Sequence, residues 1–132
     1  MIKANELRVG NYVYDDTNTV VKIEKIHSER HALWSESEYF DFSKFDDKEN
    51  MYSSIVNPIT LTEKWLLKSG AKKKKSCFVY DRFILLYSEN YKFFSVGDTE
   101  TGAYFTKVEF VHEWQNFIHI MNGVELVFST EP

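Results

Sequence analysis

The chain has 132 residues and a formal net charge of −4, and aromatic residues make up 17% of it. This length suits a single domain with a sizeable core. A subdivision of the chain near residue 58 is the alternative. The mild acidity argues against a nucleic-acid-binding protein, because such proteins depend on cationic contacts to phosphates. The high aromatic content predicts an aromatic core.

Cysteine usage and hydrophobicity bear on the location of the protein. Cys77 is the only cysteine, so no disulfide can form within the chain. The first residues carry charges where a secretory signal needs an apolar run, and no apolar stretch approaches the roughly 20 residues of a membrane helix. We therefore expect a cytoplasmic protein that is not inserted in a membrane.

Two β-rich segments, residues 11–14 and 19–26, are joined by a short turn-forming stretch. This pattern predicts a β-hairpin with Val21 and Ile23 on one face of its second strand. Tyr12 and Tyr14 are predicted to pack on the hairpin, with a stacking platform for a base or a peptide as the alternative. Residues 30–34 are a candidate third strand.

Residues 35–50 combine acidic and aromatic side chains without a clear period. We interpret them as an ordered loop anchored by its aromatic residues, Tyr39, Phe40, Phe42 and Phe45. Asp46, Asp47 and Glu49 lack the spacing of a calcium-binding loop, so we expect solvated charges there rather than a cation site.

A short helix is predicted at residues 63–69. Thr62 fits the N-cap, Leu61 can staple onto Leu66 one turn later, and Gly70 fits the position after the helix end. On this interpretation Trp65 and Leu66 face inward.

Four consecutive lysines follow this helix: Lys72, Lys73, Lys74 and Lys75. One interpretation is a solvated turn that discourages edge pairing, and the alternative is a patch for an anionic ligand. In an extended segment, alternate side chains point to opposite sides, so at most about two lysines would meet a ligand together.

The second half of the chain predicts a sheet and a helix that covers it. Residues 77–80, 82–87, 91–96 and 103–108 have the spacing of an antiparallel meander. In residues 110–121 the apolar side chains fall within an arc of roughly 120° on a helical wheel. They are Phe110, Val111, Trp114, Phe117, Ile118 and Met121. Gly123 fits the end of this helix, and residues 124–128 are predicted to form a last strand.

These elements together predict an α+β fold. It comprises an N-terminal β-hairpin, a short helix and an antiparallel meander, which is covered by a C-terminal helix and closed by a last strand. His112, Gln115, Asn116 and His119 are predicted on the polar half of the C-terminal helix, opposite the apolar arc.

The sequence contains none of the familiar catalytic motifs. The sequence has no Gly-rich phosphate loop, Gly-x-Ser-x-Gly elbow, paired cysteines or His-Glu-x-x-His motif. His112 and His119 lie about 10 Å apart along the helix, which is too far for one zinc ion without other elements. Packing, a binding epitope and a metal site remain the alternatives for them. Cys77 is better explained as a small strand residue than as a nucleophile.

Three sequence blocks resemble a family of small uncharacterised bacterial proteins found in gut anaerobes, their phages and their mobile elements. The blocks are Lys3-Ala-Asn-Glu-Leu-Arg-Val-Gly-Asn-Tyr-Val13, Pro58-Ile-Thr-Leu-Thr-Glu-Lys-Trp-Leu-Leu-Lys68, and Val111-His-Glu-Trp-Gln-Asn116 with Asn122-Gly-Val-Glu-Leu126. Trp114 stands where the family usually has leucine, and Asn122 where it has threonine. The resemblance implies a shared fold and a small accessory role, and it assigns no catalytic residue.

Two functions are therefore carried forward. The first is a non-enzymatic protein-interaction module, and the second is a weak nucleic-acid-binding accessory protein with a small barrel-like N-terminal part. We expect no cofactor and no metal. The candidate partner-binding residues are His112, Asn116, His119, Lys72, Lys73, Lys74 and Lys75.

Overall fold

The computed structural model describes residues 6–30, 36–44, 50–53 and 56–129, with side chains described for residues 6–23 and 56–129. It divides into two compact units, Met1–Ile59 and Thr60–Pro132, which we call the N-terminal and C-terminal units. Two helices accompany two antiparallel sheets, which confirms the predicted α+β class. That the two units form one cooperative domain stays a prediction.

The N-terminal unit contains a four-stranded antiparallel sheet in the order β1-β2-β3-β4. Its strands are β1 (Tyr12–Tyr14), β2 (Val20–Arg30), β3 (Glu36–Lys44) and β4 (Asn50–Ser53). The first two strands are the predicted hairpin, with Val13 opposite Val21. Buried side chains of this unit form a cluster of Leu7, Val13, Val21, Ile23 and Val56.

Asp15 fixes the turn of this hairpin. Its carboxylate is buried, and Oδ1 accepts hydrogen bonds from the Thr17 backbone N–H at 2.8 Å, the Thr17 hydroxyl at 2.7 Å and the Thr19 N–H at 2.9 Å. Asn18 adopts a left-handed φ of 62°, which asparagine tolerates better than most residues. The turn therefore sets the register that buries Val21 and Ile23.

Residues 36–44 form strand β3, so the prediction of a loop over residues 35–50 is wrong there. The aromatic side chains of this stretch suit a strand, and Phe40 lies opposite Ile26 while Phe42 lies opposite Ile23. Arg30 ends β2, and the rest of the candidate third strand lies outside the described residues. Phe45, Asp46, Asp47 and Glu49 also lie outside the described residues.

The C-terminal unit contains a five-stranded sheet in the order β5-β6-β7-β8-β9, the predicted antiparallel meander preceded by one more strand. The strands are β5 (Lys72–Lys74), β6 (Cys77–Tyr80), β7 (Phe83–Ser88), β8 (Phe93–Asp98) and β9 (Tyr104–Val108). The helices are α1 (Glu63–Lys68) and α2 (Val111–Asn122). In the described part of the chain, no helix has the length and apolarity needed to cross a membrane.

Helix α1 begins and ends as its sequence predicts. The Thr62 hydroxyl accepts a hydrogen bond from the Trp65 N–H at 3.5 Å, and Gly70 adopts a φ of 99° beyond the last turn. Leu66 is fully buried, whereas Trp65 is half-buried. The cap and the glycine therefore limit this helix to two short turns.

The segment after α2 is not part of the described sheet, so the predicted last strand at residues 124–128 is wrong. It lies against α1, because the Ser129 N–H donates to the Lys68 carbonyl at 2.9 Å and the Phe128 ring is 5.3 Å from Trp65. Leu126 and Phe128 are buried while Val127 is 83% exposed. The alternating sequence pattern matches the alternating burial of these residues, but the neighbour of the segment is a helix.

Helix α2 covers one face of the C-terminal sheet. Its start is held by Glu113, whose Oε1 accepts from the Glu109 N–H at 2.8 Å and the Phe110 N–H at 3.0 Å. Its end is the predicted Gly123, with a left-handed φ of 70°. The face beneath it, which we call the covered face, presents the buried side chains Phe78, Phe83, Leu85, Phe94, Val96 and Val108.

Candidate functional site

Three of the four lysines, Lys72–Lys74, form a strand, so the interpretation of the run as a turn is wrong for them, while Lys75 lies in the turn that follows. In β5, Lys73 lies opposite Phe78, while Lys72 lies opposite Val79 and Lys74 opposite Cys77. Since side chains alternate along a strand, Lys73 shares the covered face with Phe78. Lys72 and Lys74 lie on the other side of the sheet, which we call the open face. The four lysines therefore do not converge on one ligand.

A cleft of about 370 Å³ opens on the covered face, between the segment that precedes α1 and strands β5 to β8. Its size lies at the lower end of the range typical of ligand sites. We refer to it as the cleft. It is lined by Thr60, Leu61, Thr62, Glu63, Lys73, Lys75, Ser76, Phe78, Tyr87 and Phe94.

Three aromatic rings form the apolar wall of the cleft. Phe78 and Phe94 meet edge to face with ring centres 6.1 Å apart, and Tyr87 lies 4.9 Å from Phe94. Phe94 is only 4% exposed, whereas Tyr87 is 46% exposed. Tyr87 is therefore the accessible ring of the wall, and the buried Phe94 beneath it holds it in place, which suits contact with an apolar group.

The polar rim of the cleft offers one uncompensated cation. The Lys73 ammonium lies 2.8 Å from the Glu63 carboxylate, and both side chains are about half exposed, so this pair is mutually neutralised. Lys75 makes no ion pair, and the Ser76 hydroxyl no hydrogen bond, with any residue that the structure describes. A ligand with one negative charge near Lys75 would meet both groups.

The buried face of α2 differs from the predicted one. His112 and Gln115 are buried with exposures of 2% and 0%, so their placement on the exposed polar half is wrong. The buried residues span an arc of roughly 160°, whose centre is rotated by about 80° from the centre of the apolar arc. A wheel built on hydrophobicity does not register polar side chains that are buried with interaction partners.

The candidate residues of α2 thus have unequal access to a partner. His112 is buried and its ring stacks 5.9 Å from Phe110. Asn116 is half-buried, and only His119 is exposed. None of them lines the cleft, whereas Lys73 and Lys75 do.

The two histidines of α2 provide a matched test of this geometry. We expect His112→Ala to lower the free energy of unfolding by about 1–3 kcal/mol, because it leaves a void in a buried site. The same change at exposed His119 is expected to shift it by no more than about 0.5 kcal/mol. Urea denaturation of both variants measures the difference, and equal losses would contradict the observed orientation of α2.

Other reactive groups lie apart from the cleft. Cys77 is half-buried in β6 on the open face. Burial raises the pKa of the Tyr80 phenol above its usual value of 10.0, and the Asp81 carboxylate adds to the effect. Because the pKa is raised in the folded state, the contribution of the Tyr80 phenol to folding stability is complete below pH 10. It is lost only as the pH rises through the higher pKa of the folded protein. Among the described residues, no group of three or more metal-binding side chains is suitably placed.

The aromatic wall is the part of the site that the sequence analysis did not identify. Phe78, Tyr87 and Phe94 come from three strands and meet only through the register of the sheet. The sequence did contain one signal. If the lysine run is extended and forms a hairpin with residues 77–80, Lys73 lies beside an aromatic residue. No family model, curated protein or solved structure matches the chain.

Proposed function

We propose that this chain is a non-enzymatic protein-interaction module whose cleft receives an apolar side chain of a partner protein next to an acidic residue. The observation that carries the proposal is an aromatic wall with one accessible ring, Tyr87, beside a single uncompensated lysine. An aromatic or branched aliphatic side chain matches the wall in chemistry, and a neighbouring carboxylate matches Lys75.

The wider role is part of the same proposal. The three sequence blocks that resemble a family of small bacterial and phage proteins support an accessory protein of phage or mobile-element origin. A cytoplasmic location is proposed from the lone cysteine, which suits a compartment where thiols stay reduced.

The geometry of the lysines favours a protein partner over nucleic acid. A phosphate backbone is bound by several cations along one track. Here Lys73 is paired with Glu63, and Lys72 and Lys74 lie on the opposite side of the sheet from Lys75. About one cation is thus left for a ligand in the cleft, which is too small a footprint for tight binding of DNA or RNA.

The test uses two blocked peptides, acetyl-Glu-Trp-Glu-amide and acetyl-Lys-Trp-Lys-amide, titrated into the isotope-labelled chain. We expect the acidic peptide to shift the amide resonances of Phe78, Tyr87 and Phe94, and the basic one to bind more weakly. Lys75→Gln is expected to lower the affinity for the acidic peptide about threefold, which is the effect of losing one partly exposed ion pair.

Lys72→Gln is the matched control, because it removes the same charge from a position three residues away on the open face. It should leave the affinity unchanged. Absence of shifts at the cleft, or equal effects of the two variants, would refute the proposal. Submicromolar binding of a DNA or RNA probe, abolished when residues 72–75 are all glutamine, would favour the nucleic-acid alternative instead.

A further inference from the structure

The open face of the C-terminal sheet presents apolar side chains that neither helix covers. Leu86 is 47% exposed and Val79 and Ile84 are half-buried, while Leu85 on the covered face is fully buried. Helix α2 reaches the sheet through contacts on the covered face, such as that of Phe117 with Phe83 at 5.0 Å. The centre of the open face is therefore an accessible apolar strip.

The register of the sheet arranges this strip between two lysine-bearing edges. Lys74 pairs with Cys77, Leu86 with Ser95, and Ser95 with Lys107. Continuing the pairing of β6 with β7 by one residue places Cys77 opposite Leu86. A row across all five strands thus runs from one lysine through Leu86 to another lysine. The neighbouring row begins with Lys72 and continues through Val79 and Ile84.

The charge on this face is opposite in sign to that of the whole chain. Lys72, Lys74 and Lys107 are exposed, and no aspartate or glutamate occupies the strand positions of this face in the described sheet. The chain as a whole carries a net charge of −4. The lysines lie on the two outer strands, β5 and β9, which four strand spacings of about 4.8 Å set roughly 19 Å apart. The face is thus cationic at both edges and apolar between them.

We propose that the open face binds an acidic amphipathic helix of a partner protein. A helix with its side chains is about 10–12 Å across, so it fits between edges roughly 19 Å apart. Its apolar stripe would cover Val79, Ile84 and Leu86, as helices commonly cover sheet faces. Acidic side chains on its two flanks would then reach Lys72 and Lys74 on one edge and Lys107 on the other.

Single-stranded nucleic acid fits this face less well. Base stacking needs an aromatic ring that is open to solvent. Tyr91 stacks on Phe93 at 5.8 Å, and the Lys107 ammonium lies 5.0 Å from the centre of the same ring. Phe93 is thus already engaged within the protein, and Tyr104, opposite Gly97 and 64% exposed, leaves one open ring at the edge of the face rather than a series of stacking platforms.

Lysines on outer strands also discourage edge-to-edge pairing of sheets, which would explain their positions without a partner. That explanation requires nothing of the apolar residues between them. The proposal does, because Leu86 would be buried when the helix binds. A variant at Leu86 therefore separates the two explanations.

The experiment measures binding of a fluorescent peptide of about 18 residues, a length of five helical turns. Its helix carries a leucine and isoleucine stripe flanked by glutamates, and a twin peptide has lysines in place of the glutamates. We expect the full chain to bind the acidic peptide at least about tenfold more tightly than the twin. Lys74→Glu and Lys107→Glu should each weaken binding about threefold or more, and Leu86→Ser about tenfold.

Two control variants match these changes at other places. Leu67→Ser alters a leucine on α1 with 46% exposure, close to the 47% of Leu86, and Lys64→Glu reverses the charge of an exposed lysine on the same helix. Neither change should weaken binding of the acidic peptide, and thermal melts establish that each variant is folded. Loss of binding in both controls, no binding by the parent chain, or tighter binding of a single-stranded DNA probe would overturn the proposal. The titration with the short tryptophan peptides reports on the cleft alone, so the two proposals fail independently.

Discussion

Replacing Trp114 with alanine is expected to lower the free energy of unfolding by about 3–5 kcal/mol. Trp114 is fully buried, with its ring 5.6 Å from Tyr80 and 6.1 Å from Phe117. Its Nε1–H donates to the Ser69 hydroxyl at 3.1 Å, and that hydroxyl donates to the Leu66 carbonyl at 2.7 Å. The change therefore removes both core volume and the link between α2 and the end of α1. Urea denaturation followed by far-UV circular dichroism measures the loss.

The hydrogen bond can be separated from the volume by a double-mutant cycle. Ser69→Ala alone leaves the Trp114 Nε1–H buried without its acceptor and should cost about 1–3 kcal/mol. In a Trp114→Phe background the same change should cost much less, because no indole N–H remains. Additive effects, or a loss below about 1 kcal/mol for Trp114→Ala, would contradict the central position of this side chain.

The elements that were predicted well are defined by signals in their own local sequence. Helix α1 has Thr62 as its N-cap and Gly70 after its last turn, and α2 ends at Gly123, so both could be bounded from sequence. The meander was also recognisable, since its strands are separated by short turn-forming stretches. Caps, turns and periodicity act over a few residues, which is the range that a sequence pattern covers.

The predictions that failed concern neighbours distant in sequence. His112 and Gln115 were placed on the surface because they are polar, yet both are buried. The segment at residues 124–128 was predicted as a strand from its alternation, but it lies against α1. Residues 36–44 were read as a loop from their acidic composition, although β2 and β4 pair with them on both sides. In each case a tertiary contact decides the outcome.

The candidate site divides in the same way. The alternation of an extended lysine run was foreseeable and indicates that only some of the four lysines share a side. The identity of their neighbours was not, because Phe78, Tyr87 and Phe94 meet through the register of β6, β7 and β8. The pairing of Lys73 with Glu63 likewise depends on where α1 lies. The chemical type of the lysine-bearing strand could therefore be predicted from the sequence. Which of its lysines is neutralised by a carboxylate could not.

Phe83→Ala is expected to lower the free energy of unfolding by about 3–5 kcal/mol, the range for a fully buried phenylalanine. Phe83 has no exposed surface, and its ring centre lies 5.0 Å from Phe117 and 5.8 Å from Phe105. It thus joins the first residue of β7 to α2 on the covered face. Tryptophan fluorescence during urea denaturation follows the loss, because Trp65 and Trp114 both lie in the C-terminal unit.

Phe105→Ala provides the matched control, since it deletes the same atoms from a ring that contacts both Phe83 and their shared neighbour Phe117. Phe105 is 40% exposed, so less apolar surface returns to water and solvent can fill the space that remains. We expect a loss of about 1 kcal/mol there. If Phe105→Ala cost as much as Phe83→Ala, the stability of this face would depend on aromatic contact rather than on burial. The assignment of its core to the rings beneath α2 would then be wrong.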